Sequence, residues 1–100
     1  MLTQDLIGCV CYAFSVGEGY QYRGKLKRFF ADGSIVLVDV ETTSNEECDF
    51  EYTNPYSIAG AWKKYEDIEY SSNSVSVTGD NKGLEINYAY AGTVYIHYKS

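Results

Sequence analysis

Three cysteines and one histidine are the residues of this chain best suited to bind a metal ion, because thiolate and imidazole are preferred ligands of structural zinc. They are Cys9, Cys11, Cys48 and His97. Residues two apart on a strand point to the same face with α-carbons about 7 Å apart, whereas zinc motifs bring two ligands together in a tight turn. Buried, reduced cysteines that pack as small hydrophobic side chains explain Cys9 and Cys11 more simply. We therefore predict no metal and no other cofactor.

Catalytic motifs are not found in the sequence. The chain has no G-x-S-x-G elbow, no GK[ST] phosphate loop and no H-E-x-x-H helix. His97 alternates with apolar neighbours on a predicted strand, and a histidine in that setting is usually a sheet residue rather than a general base. Gly17 and Gly19 form a predicted hinge without the helix and lysine of a phosphate-binding loop. We predict a protein without enzymatic activity.

Acidic side chains form two clusters and provide the first candidate binding surface. The net charge is −6. Alternate residues on a strand lie about 6.6 to 6.8 Å apart, an interval comparable with the spacing of phosphates along a nucleic-acid strand. Such an edge could occupy the nucleic-acid channel of a basic protein, although a solvated acidic surface that promotes solubility is the simpler interpretation. The candidate residues are Asp39, Glu41, Glu46, Glu47, Asp49, Glu51, Glu66, Asp67 and Glu69.

A basic strand is the second candidate, since four of the eight basic residues fall within six consecutive positions. Arg23, Lys25 and Lys27 share one strand face and could follow a phosphate backbone, while nearby aromatic rings stack on bases. Strand alternation puts Tyr20 and Tyr22 on the opposite face, which separates stacking from charge. The net charge of −6 also opposes long-range attraction to a polyanion. Nucleic acid therefore ranks behind a protein partner, and a solvated strand that guards a sheet edge is the simpler interpretation.

The length and composition of the chain predict a mainly β fold, whose strands position the side chains named above. A chain of 100 residues forms one domain, residues 1–100, because two cores would lack apolar residues. Its apolar content is rich in tyrosine, valine and isoleucine, which fit a pleated surface better than a helix. Strands are predicted over residues 6–14, 20–30, 34–41, 48–53, 68–70, 74–78, 84–90 and 93–98.

Short sequence patterns predict one hairpin and one core-facing side of a strand. Asp32 and Gly33 tolerate the positive φ angles of a two-residue turn, so the strand after them is expected to pair antiparallel with the strand before. Val36, Val38 and Val40 alternate along that second strand. We predict that all three side chains face the core.

The remaining connections predict a short helix and a C-terminal β-meander. Asn54 is a suitable N-cap and Pro55 a suitable first helical residue, which places one short helix near residues 55–65. Short strands with one short helix favour a small antiparallel barrel or a strongly twisted sheet. In its first half the pattern resembles an SH3-like or OB-type barrel, in which a glycine-bearing strand and a tight hairpin precede a short helical turn.

These observations favour a small acidic protein that binds a protein partner with a basic surface. Eleven tyrosines support this prediction, because tyrosine adds interface area at little entropic cost. The sharper hypothesis is an inhibitor encoded by a phage or mobile element, which blocks a basic nucleic-acid-handling protein such as a CRISPR effector or defence nuclease. The chain resembles anti-CRISPR proteins in size, acidity and absence of enzyme motifs. The alternative is a small β-barrel module that binds nucleic acid or a peptide within a larger assembly.

The expected location is the cytoplasm, which would be that of the host cell for a phage-encoded protein. The amino terminus carries Asp5 and no basic n-region, and its apolar run breaks at Gly8, so no signal peptide is predicted. No apolar stretch approaches the roughly 20 residues that cross a bilayer, so we expect no membrane partner. Three cysteines do not suit a closed disulfide framework. The oligomeric state is left open by the sequence.

Overall fold

A computed structural model describes residues 2–15, 20–44 and 63–99 and confirms the mainly β fold. Within these ranges eight strands form one antiparallel sheet, preceded by a 3-10 turn at Gln4–Leu6. The strand order is β4-β3-β2-β1-β8-β7-β6, and β5 also pairs with β3. The strands are β1 (Val10–Ser15), β2 (Tyr20–Phe29), β3 (Ile35–Ser44), β4 (Lys63–Lys64), β5 (Ile68–Tyr70), β6 (Val75–Gly79), β7 (Gly83–Tyr88) and β8 (Gly92–His97).

The sheet curls but does not close, so the barrel offered as one alternative is wrong. Strands β5 and β7 contact each other through side chains rather than through a backbone ladder. The rings of Tyr70 on β5 and Tyr88 on β7 have centroids 5.7 Å apart. The Tyr88 hydroxyl also donates a hydrogen bond of 2.6 Å to the carbonyl oxygen of Gly33. The resemblance to SH3-like and OB-type barrels therefore does not extend to a closed ladder.

One face of the sheet, called the inner face below, carries the core. Alternation along each strand directs apolar side chains to this face and polar ones to the opposite outer face. Cys9 and Cys11 are buried there, as the sequence predicts. The buried apolar residues are Leu6, Cys9, Cys11, Ala13, Tyr22, Leu26, Ile35, Leu37, Val40, Tyr70, Leu84, Ile86, Tyr88, Val94 and Ile96.

A β-bulge in β3 changes which residues face the core. The register with β2 shifts so that β3 has one extra residue at this point, and Asp39 has a positive φ of 55°. A bulge reverses the phase of the alternation beyond it. Val40 is buried as predicted, but Val36 and Val38 are only half-buried on the outer face. The prediction that these two valines face the core is therefore wrong.

The β2–β3 hairpin forms where predicted but its loop is longer than two residues. The Phe30 amide donates to the Ser34 carbonyl (2.9 Å), and the Gly33 amide donates to the Phe30 carbonyl (3.0 Å). Within this loop only Gly33 has a positive φ, of 92°. The Asp32 carboxylate accepts a hydrogen bond of 2.9 Å from the Ser34 amide, which lowers the pKa of Asp32. A second register shift lies in β2 after Leu26, before this loop. The side chain of Phe30, at the start of the loop, is exposed.

The predicted C-terminal meander is confirmed for β6, β7 and β8, which pair consecutively. β8 then pairs with β1, whereas β5 pairs with β3 rather than with the meander. Lys63–Lys64 form β4 against β3, so the end of the predicted helix at 55–65 is wrong. The rest of that helix, and the strand predicted at 48–53, lie outside the described residues.

Candidate interaction surface

The acidic candidate residues fall at one end of the sheet, on β3, on β5 and in the connection between β4 and β5. All of those described are exposed except Glu41, which is half-buried. The described members are Asp39, Glu41, Glu66, Asp67 and Glu69. The members outside the described residues are Glu46, Glu47, Asp49 and Glu51. The structure therefore brings the described members of the two predicted acidic clusters to the same end of the sheet through the pairing of β5 with β3.

The basic strand lies directly beside these acids, because β2 pairs with β3. Arg23 Nε is 2.7 Å from Glu41 Oε1, and Lys27 Nζ is 3.7 Å from Asp67 Oδ2. All four side chains are partly exposed, so each ion pair stabilises the fold by about 1 kcal/mol or less. The two candidate sites of the sequence are therefore one mixed-charge region, which we call the charged surface.

Three further cations on the charged surface have no acid within ion-pair distance among the described residues. Lys25 lies across from Val38, Arg28 across from Val36, and Lys64 across from Glu41. Directly paired residues project to the same side of a sheet, so all three cations share the outer face. On β2 to β5, the ionic groups that this pairing assigns to the outer face are the cations Arg23, Lys25, Arg28 and Lys64 and the acids Glu41 and Glu69.

Charge is unevenly distributed between the described residues and the rest of the chain. The described residues contain all eight basic side chains and nine of the fourteen acids, a net charge of −1. The other five acids, at positions 18, 46, 47, 49 and 51, account for most of the net charge of −6. The acidity that motivates the inhibitor hypothesis therefore resides chiefly in the sequence between β1 and β2 and between β3 and β4.

Aromatic side chains lie beside the cations, although they come from other strands than the one that carries the charge. Tyr12 on β1 is directly across from Arg23 on one side and from Tyr95 on the other. Both tyrosines are half-buried. Tyr22 is buried on the inner face, with its ring centroid 5.3 Å from that of Tyr65, as strand alternation predicts. Sequence reasoning missed Tyr12 and Tyr95 because only the strand order places them next to β2.

The potential zinc ligands do not converge in the described part of the chain. Cys9 and Cys11 are buried on the inner face. His97 follows Ile96, which pairs with Cys11, so its side chain belongs to the outer face. Burial, with a smaller contribution from Cys9, raises the pKa of the Cys11 thiol to about 12, which makes it a poor nucleophile and metal ligand at neutral pH. No group of three potential ligands occurs in the described ranges, and Cys48 lies outside them.

Two further searches, for a membrane-spanning helix and for similar proteins, give no information about the function of this surface. In residues 2–15, 20–44 and 63–99 there is no helix long and apolar enough to cross a bilayer. No protein-family model matches the chain, and no curated protein or solved structure is significantly similar to it. The function must therefore be argued from the chemistry of the charged surface.

Proposed function

We propose that this chain is a non-enzymatic protein that binds a basic, nucleic-acid-handling protein and inhibits it, as a phage-encoded inhibitor of a CRISPR effector or defence nuclease would. The observation that supports this most is a group of exposed carboxylates at the β3–β5 end of the sheet. Asp39, Glu66 and Glu69 have no basic partner within ion-pair distance among the described residues. Carboxylates left unneutralised within the protein are available to a cationic partner.

The proposed mechanism is competition with nucleic acid for a basic channel. Exposed acidic side chains on β3, on β5 and in the β4–β5 connection offer negative charge to such a channel, and the five acids outside the described residues add to the net negative charge of the chain. Complementary charge accelerates encounter and disfavours wrong partners. Because such attraction is screened over about 8 Å at physiological ionic strength, inhibition is expected to weaken as salt is added.

A second candidate function, a module that binds nucleic acid or an acidic peptide, is favoured by the outer face itself. Lys25, Arg28 and Lys64 are exposed, and Tyr12 is adjacent to the basic strand. Cations that follow a phosphate backbone beside aromatic rings are typical of single-strand binding surfaces. The two candidates use opposite charges on neighbouring strands, so charge reversal separates them.

The test compares matched single substitutions of exposed strand residues. Glu69→Lys changes the β5 end of the charged surface, and Glu85→Lys makes the same chemical change on β7, away from it. A purified CRISPR effector loaded with guide RNA is assayed for cleavage of its target DNA with each variant. We expect wild type and Glu85→Lys to inhibit, and Glu69→Lys to lose at least about tenfold in potency, equivalent to about 1.4 kcal/mol.

The second candidate is tested in parallel by mobility shift of labelled single-stranded DNA and RNA. Tight binding by wild type that is lost in Lys25→Glu and Arg28→Glu, but kept in Lys82→Glu, would support the nucleic-acid module and contradict the inhibitor. Lys82 serves as the control because it is an exposed lysine in the β6–β7 turn. Equal potency of Glu69→Lys and Glu85→Lys in the nuclease assay would show that the acids at the β5 end do not form the binding site.

A further inference from the structure

β6 forms the opposite end of the sheet, and among the described residues it pairs only with β7. Its sequence, Val-Ser-Val-Thr-Gly, contains neither a charge nor a proline. Its register with β7 runs through five residue pairs without a bulge. Free edges of soluble sheets are usually protected by lysine, proline or a bulge. β6 has none of these features.

Two hydrogen bonds that flank β6 determine which of its backbone groups face β7. The Ala89 amide donates to the Ser74 carbonyl, and the Asp80 amide donates to the Gly83 carbonyl, each at 3.0 Å. Hydrogen-bonded positions alternate along an antiparallel pair. The even-numbered residues of the segment 74–80 therefore direct their N–H and C=O groups to β7.

The odd-numbered residues of β6 direct their backbone groups away from the sheet. These residues are Val75, Val77 and Gly79, which together present three N–H donors and three C=O acceptors at the free edge. None of these groups has a partner among the backbone hydrogen bonds of the described residues outside the ladders. A strand added at this edge would satisfy all six groups.

The inner apolar face continues uncovered up to this edge. Val75 and Val77 lie across from Tyr88 and Ile86, which places their side chains on the inner face. They line an open groove of about 260 Å³ together with Leu2, Phe29 and Phe30. Val77 is 38% exposed and Phe30 is 43% exposed. A strand paired with β6 would extend the sheet over this apolar surface.

We propose that β6 pairs antiparallel with β6 of a second copy of this chain, centred on Val77. This register sets Val77 against Val77 and Val75 against Gly79, so the outward donors and acceptors of each copy meet their complements. Ser76 then lies across from Thr78, a pairing that stabilises antiparallel sheets. The proposed pair of strands is twofold symmetric because the three outward residues of β6 are centred on Val77. This site is independent of the charged surface.

The charges around β6 are compatible with a second copy of the chain and disfavour an acidic peptide. In the proposed register Asp80 lies opposite Ser74 and Lys82 opposite Ser72, so no two like charges face each other. An acidic strand would instead place its carboxylates beside Asp32, which lines the same groove as Val77 and Phe30. The net charge of −6 opposes association at long range, but β6 itself carries no charge, and screening limits repulsion beyond about 8 Å.

Sedimentation equilibrium of the wild-type chain and two matched variants tests the proposal. Val77→Lys places a charge at the proposed centre, and Val10→Lys makes the same change at a residue of similar exposure, 40%, on β1. Between about 5 and 500 µM, the mass of wild type and Val10→Lys is expected to rise from 11.3 kDa toward twice that value, while Val77→Lys stays monomeric. Circular dichroism verifies that each variant is folded.

A proline variant separates edge pairing from simple apolar contact. Val77→Pro removes only an outward N–H, and an edge strand tolerates proline there because its pairing with β7 does not use that group. We expect Val77→Pro to be folded and monomeric. A wild-type chain that remains monomeric throughout, or a Val77→Pro variant that dimerises as wild type does, would overturn the proposal.

The register is tested by disulfide formation in a Cys48→Ser background. Centred pairing brings the two Val77 α-carbons to about 5.5 Å, within the range that a disulfide spans. Val77→Cys is therefore expected to form a covalent dimer under mild oxidation. Ser76→Cys is the control, because Ser76 faces Thr78 rather than its own counterpart. Equal or faster cross-linking of Ser76→Cys would show that the strands do not pair about Val77.

Discussion

The two ends of the sheet share one core and differ in their surfaces. The β4–β5 end carries both signs of charge within the segment 63–69, whereas β6 has no charged side chain. Charges on an edge strand oppose the addition of another strand because pairing would desolvate them. The β4–β5 end is therefore suited to ionic contact with a partner, and the β6 end to backbone pairing.

The difference extends to how regular the backbone is. β2 and β3 contain two register shifts and a residue with positive φ, Asp39, while β6, β7 and β8 pair without a shift. Bulges increase local twist and redirect side chains, which is how Arg23 and Val36 come to share the outer face. The regular end gives a straight, unprotected edge. The strands that carry the charged surface are thus irregular, and the strands next to the proposed self-pairing site are regular.

The largest expected effect tests whether the two ends form one cooperative unit. Leu37 on β3 and Ile86 on β7 are fully buried, so Leu37→Ala and Ile86→Ala are each expected to lower the free energy of unfolding by about 2 to 5 kcal/mol. Val38→Ala, on the half-buried outer face, is the control and should cost less. Denaturant unfolding followed by fluorescence and circular dichroism measures all three. Two separated transitions would contradict a shared core.

A pH-dependent effect arises in the core between the two ends. Burial raises the pKa of the Cys11 thiol from 9.0 to about 12, so the unfolded chain releases this proton at a lower pH than the folded chain. The associated stability is complete below pH 9 and is lost as the pH rises toward 12, by about 1.4 kcal/mol per pH unit.

The measurement is denaturant unfolding of wild type and Cys11→Ala between about pH 8 and pH 11. The stability difference between the two proteins is expected to shrink with rising pH, because only wild type has this thiol to ionise. A difference that stays constant would show that Cys11 ionises alike in the folded and unfolded chains.

The smallest expected effect concerns the ion pair at the charged end. A double-mutant cycle of Arg23→Gln and Glu41→Gln is expected to give a coupling energy of about 0.2 to 1 kcal/mol. That coupling should diminish in about 1 M salt, where the screening length is about 3 Å. Thermal or denaturant unfolding of the four proteins provides the values. Coupling that is unchanged by salt would mean that the pair acts through packing rather than charge.

Sequence alternation predicted the inner face well where strands are regular. Cys11 and Tyr22 are buried as the pattern indicates. Val36 and Val38 were mispredicted because a single inserted residue at Asp39 reverses the phase, and that insertion is defined only relative to β2. The local sequence predicts the turn at Gly33, but it does not predict the register between β2 and β3.

The sequence identifies the charged residues of the candidate surface but not their arrangement. The acidic and basic residues were identified as two alternatives, yet Arg23 and Glu41 are partners across the β2–β3 ladder. Likewise, β8 lies beside β1 and brings Tyr95 next to Tyr12. These neighbours are distant in sequence, so their contacts depend on strand order rather than on local periodicity.

The hydrogen bond from Tyr88 to Gly33 has a consequence for the order in which the chain assembles. Its two residues are 55 positions apart, whereas the β2–β3, β6–β7 and β7–β8 hairpins close over short loops. Loop-closure entropy delays contacts between distant residues. We expect the hairpins to form first, the β1–β8 ladder to join them into one sheet, and the Tyr88 contact to form late and hold the sheet in its curled shape. Pulsed hydrogen exchange that protects the Gly33 turn and β7 together before either hairpin would contradict this order.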